Sequence, residues 1–343
     1  MKNKQLKEQC GDDNEITLRL NIKERLIPTL FGGIIGDAVG VPVEFKARDT
    51  FFIDDMVGYG TYNQPLGTWS DDTSLTLCLI KNIIENGTTK DLMDKFNAYY
   101  ESGYCTPFGE MFDIGRTTVE SIIRYEVGYA PADCGGRSET DNGNGAIMRI
   151  APLVFLIHNE SDFLKKVKVI KEYTEITHAH PRAIVGSIIY IELLLGLYHN
   201  KSLQNSLQAI YELFHENFDA NHKYIQELSH FSRIFNDDFL ATERSEIRSG
   251  GYLVHTIEAA IWSFGNSDSF RDAIILAVNL GSDTDTVAAI TGSLAGMYYK
   301  MKDIPEDWLN NIVLKEGLEI TINEFYQYCS EKAVKDAYGG SNQ

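Results

Sequence analysis

Residues 30–40 read LFGGIIGDAVG and residues 286–299 read TVAAITGSLAGMYY. Gly32, Gly36 and Gly40 recur every fourth position in the first stretch, and Ala288, Gly292 and Gly296 do so in the second. Residues four apart lie on one face of an α-helix, so each stretch carries a smooth stripe along one face. Glycine in a helix interior costs roughly 1 kcal/mol relative to alanine. Close packing against a neighbour must offset that cost, and both stretches read as central helices of one core.

The same three-and-four spacing of apolar residues continues from about Asn21 onward. DLMDKFNAYY (91–100), SDFLKKVKVIKEY (161–173), SLQNSLQAIYELF (202–214) and FRDAIILAV (270–278) all follow it, as amphipathic helices do. Strand-like alternation is nearly absent; VFLI (154–157) comes closest, and it sits in a helical context. The expectation is an all-α, single-domain protein of a dozen or so helices. Residues 1–24 read as a flexible N-terminal arm, and residues 25–335 as the domain.

Lys plus Arg total 31 against 49 Asp plus Glu, a net charge of −18. Such a surface repels phosphate backbones and anionic membranes, so neither nucleic acid nor membrane is expected as a partner. The five cysteines are scattered without a CxxC spacing, which excludes a disulfide scaffold or structural zinc as the organising element. The start, MKNKQLKEQCGDDNE, has no apolar signal-peptide core. The apolar run near 188–198 is interrupted by Glu192 and reads as too short to span a bilayer. The expected location is cytoplasmic.

Three acidic elements carry the chemistry. In GTWSDDTSLTLCLIKNII (67–84), Ser70, Asp71 and Asp72 stand where an amphipathic helix begins. They could serve as an N-cap favouring the helix dipole, although capping needs one acceptor and two adjacent aspartates exceed that. In NLGSDTDTVAAITGSLAG (279–296), Asp283 and Asp285 interleave with Thr284 and Thr286. That oxygen-rich pattern suits either a solvated capping loop or a hard divalent cation. In GDAVGVPVEF (36–45), Asp37 lies inside an apolar, glycine-striped helix and Glu44 follows the break at Pro42. Asp37 needs a cap or an internal partner there, because an unpaired buried charge is costly. Taken together, the three elements favour a dinuclear Mg²⁺ or Mn²⁺ site, and the missing histidine and cysteine ligands disfavour zinc.

These motifs resemble the ADP-ribosylglycohydrolase family, which includes the dinitrogenase reductase-activating glycohydrolases and the ADP-ribosyl-acceptor hydrolases. The resemblance rests on GDAVGVPVEF, the Trp69-Ser70-Asp71-Asp72-Thr73 run, FDIGRTT (112–118), DNGNGAIMRIAPL (141–153), THAHPRAIVG (177–186), GGYLVHTIEAAIWSF (250–264) and LGSDTDTVAAITGSLAGMYY (280–299). They fall in the family's order over roughly residues 26–300. The stretch around 200–245 does not match, and Ser282 stands where bacterial members often have a second glycine.

The resemblance implies an orthogonal helical bundle with a dinuclear metal cleft holding two Mg²⁺, with Mn²⁺ an alternative. By position, Ser70, Asp71 and Asp72 would hold one metal. Asp283 and Thr286 would hold the other, with Asp285 bridging. Glu44 and Asp71 are the candidates for general base. Gly143, Asn144 and Gly145 would cradle a diphosphate at a helix start, and Arg149 could pair with phosphate or with an internal acid. His178 would contact ribose or phosphate, and Gly251 and Tyr252 would line the pocket. Asp113 and Gly115 are expected only as cleft wall, with His255 a packing residue.

The implied activity is metal-dependent hydrolysis of the glycosidic bond between ADP-ribose and a modified side chain, arginine foremost, on an ADP-ribosylated protein. The alternatives are hydrolysis of O-linked ADP-ribose, an immunity protein that neutralises an ADP-ribosyltransferase toxin by hydrolysis or occlusion, and an inactive ADP-ribose-binding or structural member. Glu44, Asp71, Asp72, Asp283 and Asp285, all present, count against the last.

Overall fold

The two small-residue stripes pack directly on one another. A Cβ placed on Gly32 would lie 2.2 Å from the carbonyl oxygen of Gly292, and one on Gly36 would lie 2.0 Å from that of Ala288. From the other side, Cβ atoms on Gly292 and Gly296 would fall 2.0 Å from the carbonyl oxygens of Gly32 and Pro28. The pairs 28–296, 32–292 and 36–288 run in opposite chain directions. The two helices are thus antiparallel and packed backbone to backbone, which side chains of any size would forbid.

The computed structural model describes the backbone from Lys2 to Tyr338 and side chains from Asn14 onward. Its α-helices are α1 (Lys2–Gly40), α2 (Asp71–Ile84), α3 (Thr89–Ser102), α4 (Arg116–Glu126), α5 (Pro131–Cys134), α6 (Val154–Ile157), α7 (Phe163–Glu175), α8 (Pro181–Tyr198), α9 (Leu203–Asn217), α10 (Lys223–Leu228), α11 (Leu253–Gly265), α12 (Phe270–Val278), α13 (Thr284–Tyr299), α14 (Glu306–Asn311) and α15 (Lys315–Tyr338). Short 3₁₀ turns join them, and no strand occurs among the described residues. The all-α expectation holds, and VFLI is the single helical turn α6.

The boundary drawn at residue 24 falls inside α1, which the structure runs from Lys2. Along its described part Leu18 packs against the core, Ile22 is fully buried, and Arg19 donates to Ser330 of α15. Met1 lies outside the described residues. Two helical stretches, Asn14–Val43 and Pro181–Tyr198, are long and apolar enough to cross a membrane, but 89% of the most apolar 18 residues in each is buried here. Length therefore does not exclude the second as a span; its burial makes it the core helix against which α7, α9 and α10 pack.

The α1–α13 seam sets where the acids meet. Gly40 ends α1 so close to α13 that its Cβ would sit 2.3 Å from the Cα of Asp285, and Thr284 Oγ1 donates to the Gly40 carbonyl at 2.8 Å. Glu44 therefore emerges beside the start of α13.

A methyl group at the seam should act opposite to helix propensity. Gly36→Ala should lower stability by about 1–3 kcal/mol, because the helices must separate. Gly317→Ala in α15, where nothing lies within 4 Å of the added Cβ, should raise stability by about 0.5–1 kcal/mol. Urea unfolding midpoints of the two variants check this; two shifts of the same sign would show that the stripe is not a packing device.

Candidate active site

Asp37 docks the Ser70–Asp72 element onto α1. Its carboxylate accepts from the Ser70 N–H at 2.9 Å, the Thr73 N–H at 3.1 Å and the Thr73 hydroxyl at 2.6 Å. An aspartate on α1 thus caps the N-terminus of α2, satisfying donors that a helix start leaves free. Burial lifts its carboxyl to about 6 against these hydrogen bonds. The internal partner that the sequence demanded for Asp37 is this helix end.

With α2 docked, its first turn faces that of α13. Ser70 accepts from the Asp72 N–H at 3.4 Å, and Thr286 Oγ1 donates to Asp72 Oδ2 at 3.1 Å. Asp285 Oδ1 accepts the Thr286 N–H at 2.9 Å. Glu44, Asp283 and Asp285 each place a carboxylate oxygen within 4.8 Å of the other two. Asp71, Asp72 and Asp285 are buried, Glu44 is 5% exposed, and Asp283 keeps some exposure toward the cleft.

No lysine, arginine or histidine forms an ion pair with these carboxylates among the described residues. Burial raises every one of them: Asp71, Asp72 and Asp285 rise well above the usual carboxylate range, first by desolvation and then by repulsion from their neighbours. Glu44 is pushed to about 8 by burial and then by Asp113. Glu44 Oε2 and Asp72 Oδ1 are buried without any hydrogen-bond partner. Helix capping leaves no such orphaned acceptors, whereas an oxygen-liganded divalent cation uses them. The residues fit a metal centre.

Glu44, Asp71, Asp113, Asp283 and Thr286 line a cleft of about 300 Å³ together with Gly143, Asn144, Gly145, His178 and Gly251. The glycine loop is tied to the 251–253 strap by Asn144 N–H to Gly251 carbonyl at 3.1 Å and Leu253 N–H to Asn142 carbonyl at 3.0 Å. His178 lies beneath it; a Cβ on Gly145 would come within 3.0 Å of the imidazole. Burial, and then Arg149, lowers His178 to about 3, so it is a neutral hydrogen-bonding group. Larger cavities exist, but the one of about 460 Å³ near Tyr211 and Phe235 has no carboxylate in its wall.

Several placements differ from the sequence reading. No α-helix begins at GNGAIMR; residues Ile147–Arg149 form a single 3₁₀ turn, too short to carry a helix dipole. Asn144 donates to Asp283 Oδ2 at 2.7 Å and to Thr256 at 3.0 Å, so it joins the loop to the acids. Arg149 is not in the cleft wall and has no ion pair with an acid among the described residues: it is fully buried, donates to the Tyr173 carbonyl and Thr177 hydroxyl, and lies 4.8 Å over the Phe96 ring. Tyr252 is absent from the cleft wall; its hydroxyl accepts from Arg182 at 3.3 Å and its ring packs on His255.

Two features of the wall went unread as functional. Asp113 faces the cleft as another acid of the cluster, its carboxyl raised by burial. The first turn of α4 presents Arg116, Thr117 and Thr118 to the cleft after Gly115, and Thr118 Oγ1 is buried without a partner. A glycine ahead of the amphipathic RTTVESIIRYE was the available signal, since a residue without a side chain leaves helix-start N–H groups open. Beside the acids, Phe45 and Ser282 both hold positive φ, 62° and 68°. Phe45 N–H donates to the Ser282 carbonyl at 2.7 Å and Ser282 N–H to the Lys46 carbonyl at 2.8 Å. A non-glycine residue so held stores about 1–3 kcal/mol of strain, and such strain clusters at functional sites.

The family model for ADP-ribosylglycohydrolases matches residues 18–334. The ADP-ribosylarginine hydrolase Tri1 of Serratia proteamaculans is 32% identical over 306 residues, covering 88% of this chain and 79% of that protein. The protein of the same name from Pseudomonas putida is 31% identical over 324 residues, 92% of this chain and 81% of its own length. Among solved structures, a chain of an ADP-ribosylglycohydrolase-related protein complex superposes with a TM-score of 0.74 at 29% identity, covering 90% of this chain and 99% of that one.

The raised carboxyls fix how metal-free stability responds to pH. Glu44, ordinarily near 4.5, holds its proton in the fold up to about 8, so between those values the folded state binds more protons than the unfolded. Stability is therefore present at low pH and lost as pH rises through that window. In EDTA the melting temperature should fall between about pH 5 and about pH 8. Glu44→Gln should flatten the fall, and Mg²⁺ should restore the lost stability at the upper end. A metal-free melting temperature that rises across this range would contradict the cluster's electrostatics.

Proposed function

Because the chain belongs to the ADP-ribosylglycohydrolase family, we propose that its cleft hydrolyses the N-glycosidic bond between ADP-ribose and an arginine side chain of a modified protein, with two Mg²⁺ ions among its acids. The observation that carries this is the carboxylate cluster that no basic side chain among the described residues pairs with, with its two orphaned oxygens, set beside a glycine loop and an open helix start. The names of the two hydrolase relatives favour arginine as the acceptor.

In this reading Ser70, Asp71, Asp72, Asp283, Asp285 and Thr286 would hold the ions through their side-chain oxygens. When bound, the ions supply Lewis acidity to oxygen atoms of the ribose or of water. The protein's own groups do the rest. The N–H groups of the α4 first turn and the glycine loop receive the diphosphate. Neutral His178 donates a hydrogen bond to a ribose or phosphate oxygen. Cleavage at C1″ passes through an oxocarbenium-like state, and the surrounding carboxylates stabilise its positive charge. Glu44 or Asp71 accepts the proton of the attacking water, and the leaving guanidine nitrogen takes up a proton. Hydrolysis would also neutralise the product of an ADP-ribosyltransferase toxin, the immunity role considered above. A cytoplasmic setting rests on the sequence alone.

A panel of arginine-, serine- and cysteine-linked ADP-ribosyl peptides tests the reading. ADP-ribose should be released from the arginine-linked peptide in Mg²⁺ or Mn²⁺ and not in EDTA. Asp71→Ala and Asp285→Ala should each lower turnover by about 10³-fold or more, the equivalent of several kcal/mol of lost transition-state stabilisation. Both should keep a melting temperature in EDTA at or above that of the unaltered protein, because removing one buried carboxylate relieves repulsion on the rest. Full activity in chelator, or release from the serine-linked peptide alone, would overturn it.

A further inference from the structure

The side chain of one residue beside the acids has no role in the core. Phe45 is 69% exposed, yet its neighbour Glu44 is 5% exposed and turned into the acid cluster. The positive φ of Phe45 (62°) makes that reversal: the carboxylate goes in and the phenyl ring stands at the cleft wall. The two backbone hydrogen bonds with the 282 turn hold it there. An exposed ring in a strained conformation adds nothing to the core, so the arrangement is retained for something that arrives from outside.

We propose that Phe45 is the platform on which the guanidinium of the ADP-ribosylated arginine lies, a specificity-determining residue for the leaving group; this rests on the arginine-linked reading above. The reacting carbon must lie among the carboxylates, and the diphosphate at the α4 start and glycine loop. The leaving group is attached to a protein too large for a cleft of about 300 Å³, so it must enter from the exposed rim of the cleft, and Phe45 is a lining residue that is 69% exposed. Phe45 follows Glu44 directly and is bonded to the residue before Asp283, which puts its ring there. Tyr62 stands 6.3 Å from Phe45, and Phe112 stands 5.0 Å from Tyr62, forming an aromatic wall that leads to Asp113. A guanidinium is planar, delocalised and weakly hydrated, and it stacks on aromatic faces while its edge faces carboxylates. A serine oxygen has no such face.

The test compares KM and kcat on the arginine-linked peptide for the unaltered protein and for Phe45→Leu, Phe45→Tyr and Phe45→Trp, with agmatine as a competing guanidinium. Leucine keeps an apolar side chain and removes the π-face. F45L should raise KM about 3- to 30-fold and weaken agmatine inhibition in parallel, as loss of a cation–π contact implies. F45Y and F45W should stay within about threefold on both measures. ADP-ribose, which has no guanidinium, should raise the melting temperature of F45L as it does that of the unaltered protein. Unchanged KM and unchanged agmatine inhibition in F45L would overturn the proposal and leave the arginine reading standing. Loss of the ADP-ribose shift in F45L would also overturn it, by showing that the ring shapes the pocket instead. An unaltered protein that releases nothing from the arginine-linked peptide would overturn the arginine reading, and this inference with it.

Discussion

The backbone contact between α1 and α13 is the constraint on which the remainder of the structure depends. Two helices approach so closely that a carbonyl of one occupies the place of a Cβ on the other, at Gly32, Gly36, Gly292 and Gly296. At that separation the helices cannot slide or rotate by a residue without a clash. The seam therefore fixes the ends of both helices as well as their middles. Asp37 and Glu44 at one end and Asp283, Asp285 and Thr286 at the other are delivered to the same place by packing alone.

The site built there runs against the ordinary economics of a protein interior. Buried carboxylates are normally paired, and a cluster of them without a cation destabilises the fold that holds it. Here one member has its hydrogen bonds satisfied by structure: Asp37 accepts from the N-terminus of α2 and so docks the Ser70–Asp72 turn. The others keep open oxygens and remain poised against one another. A cluster of this kind is tolerable as protonated acids or as ligands.

The cleft divides its labour among its lining groups. The acids gather negative charge; the others offer backbone N–H groups, a neutral imidazole and glycines that let a ligand approach closely. Asn144 links the two, since it belongs to the glycine loop and bonds Asp283. Arg149 supports this arrangement from below, holding the 173–177 segment that carries His178, and its buried charge helps keep that imidazole neutral. The paired positive-φ residues Phe45 and Ser282 stand beside the acids, locking the chain after Glu44 to the turn before Asp283.

By itself the sequence determined the helical class, the close-packed stripes, the acidic elements and the family, because periodicity, small-residue spacing and short motifs are local properties. Asp71, Asp72, Asp283 and Asp285 could be read as a set because each pair sits within one helix start. What only the tertiary structure decided are relations between segments distant in the chain. The sequence required a partner for Asp37 but could not say that it is the start of a helix 33 residues on, and Asp113, expected only as cleft wall, joins the acid cluster. GNGAIMR looks like a helix start, yet the helix start that faces the cleft is α4, because Arg149 is drawn into the core and the turn after Gly145 stays short. Tyr252 belongs to a matching motif, but its ring is pulled toward Arg182 and His255. Direction of a side chain depends on what packs behind it, and that is set by the seam between α1 and α13, which joins residues more than 240 positions apart.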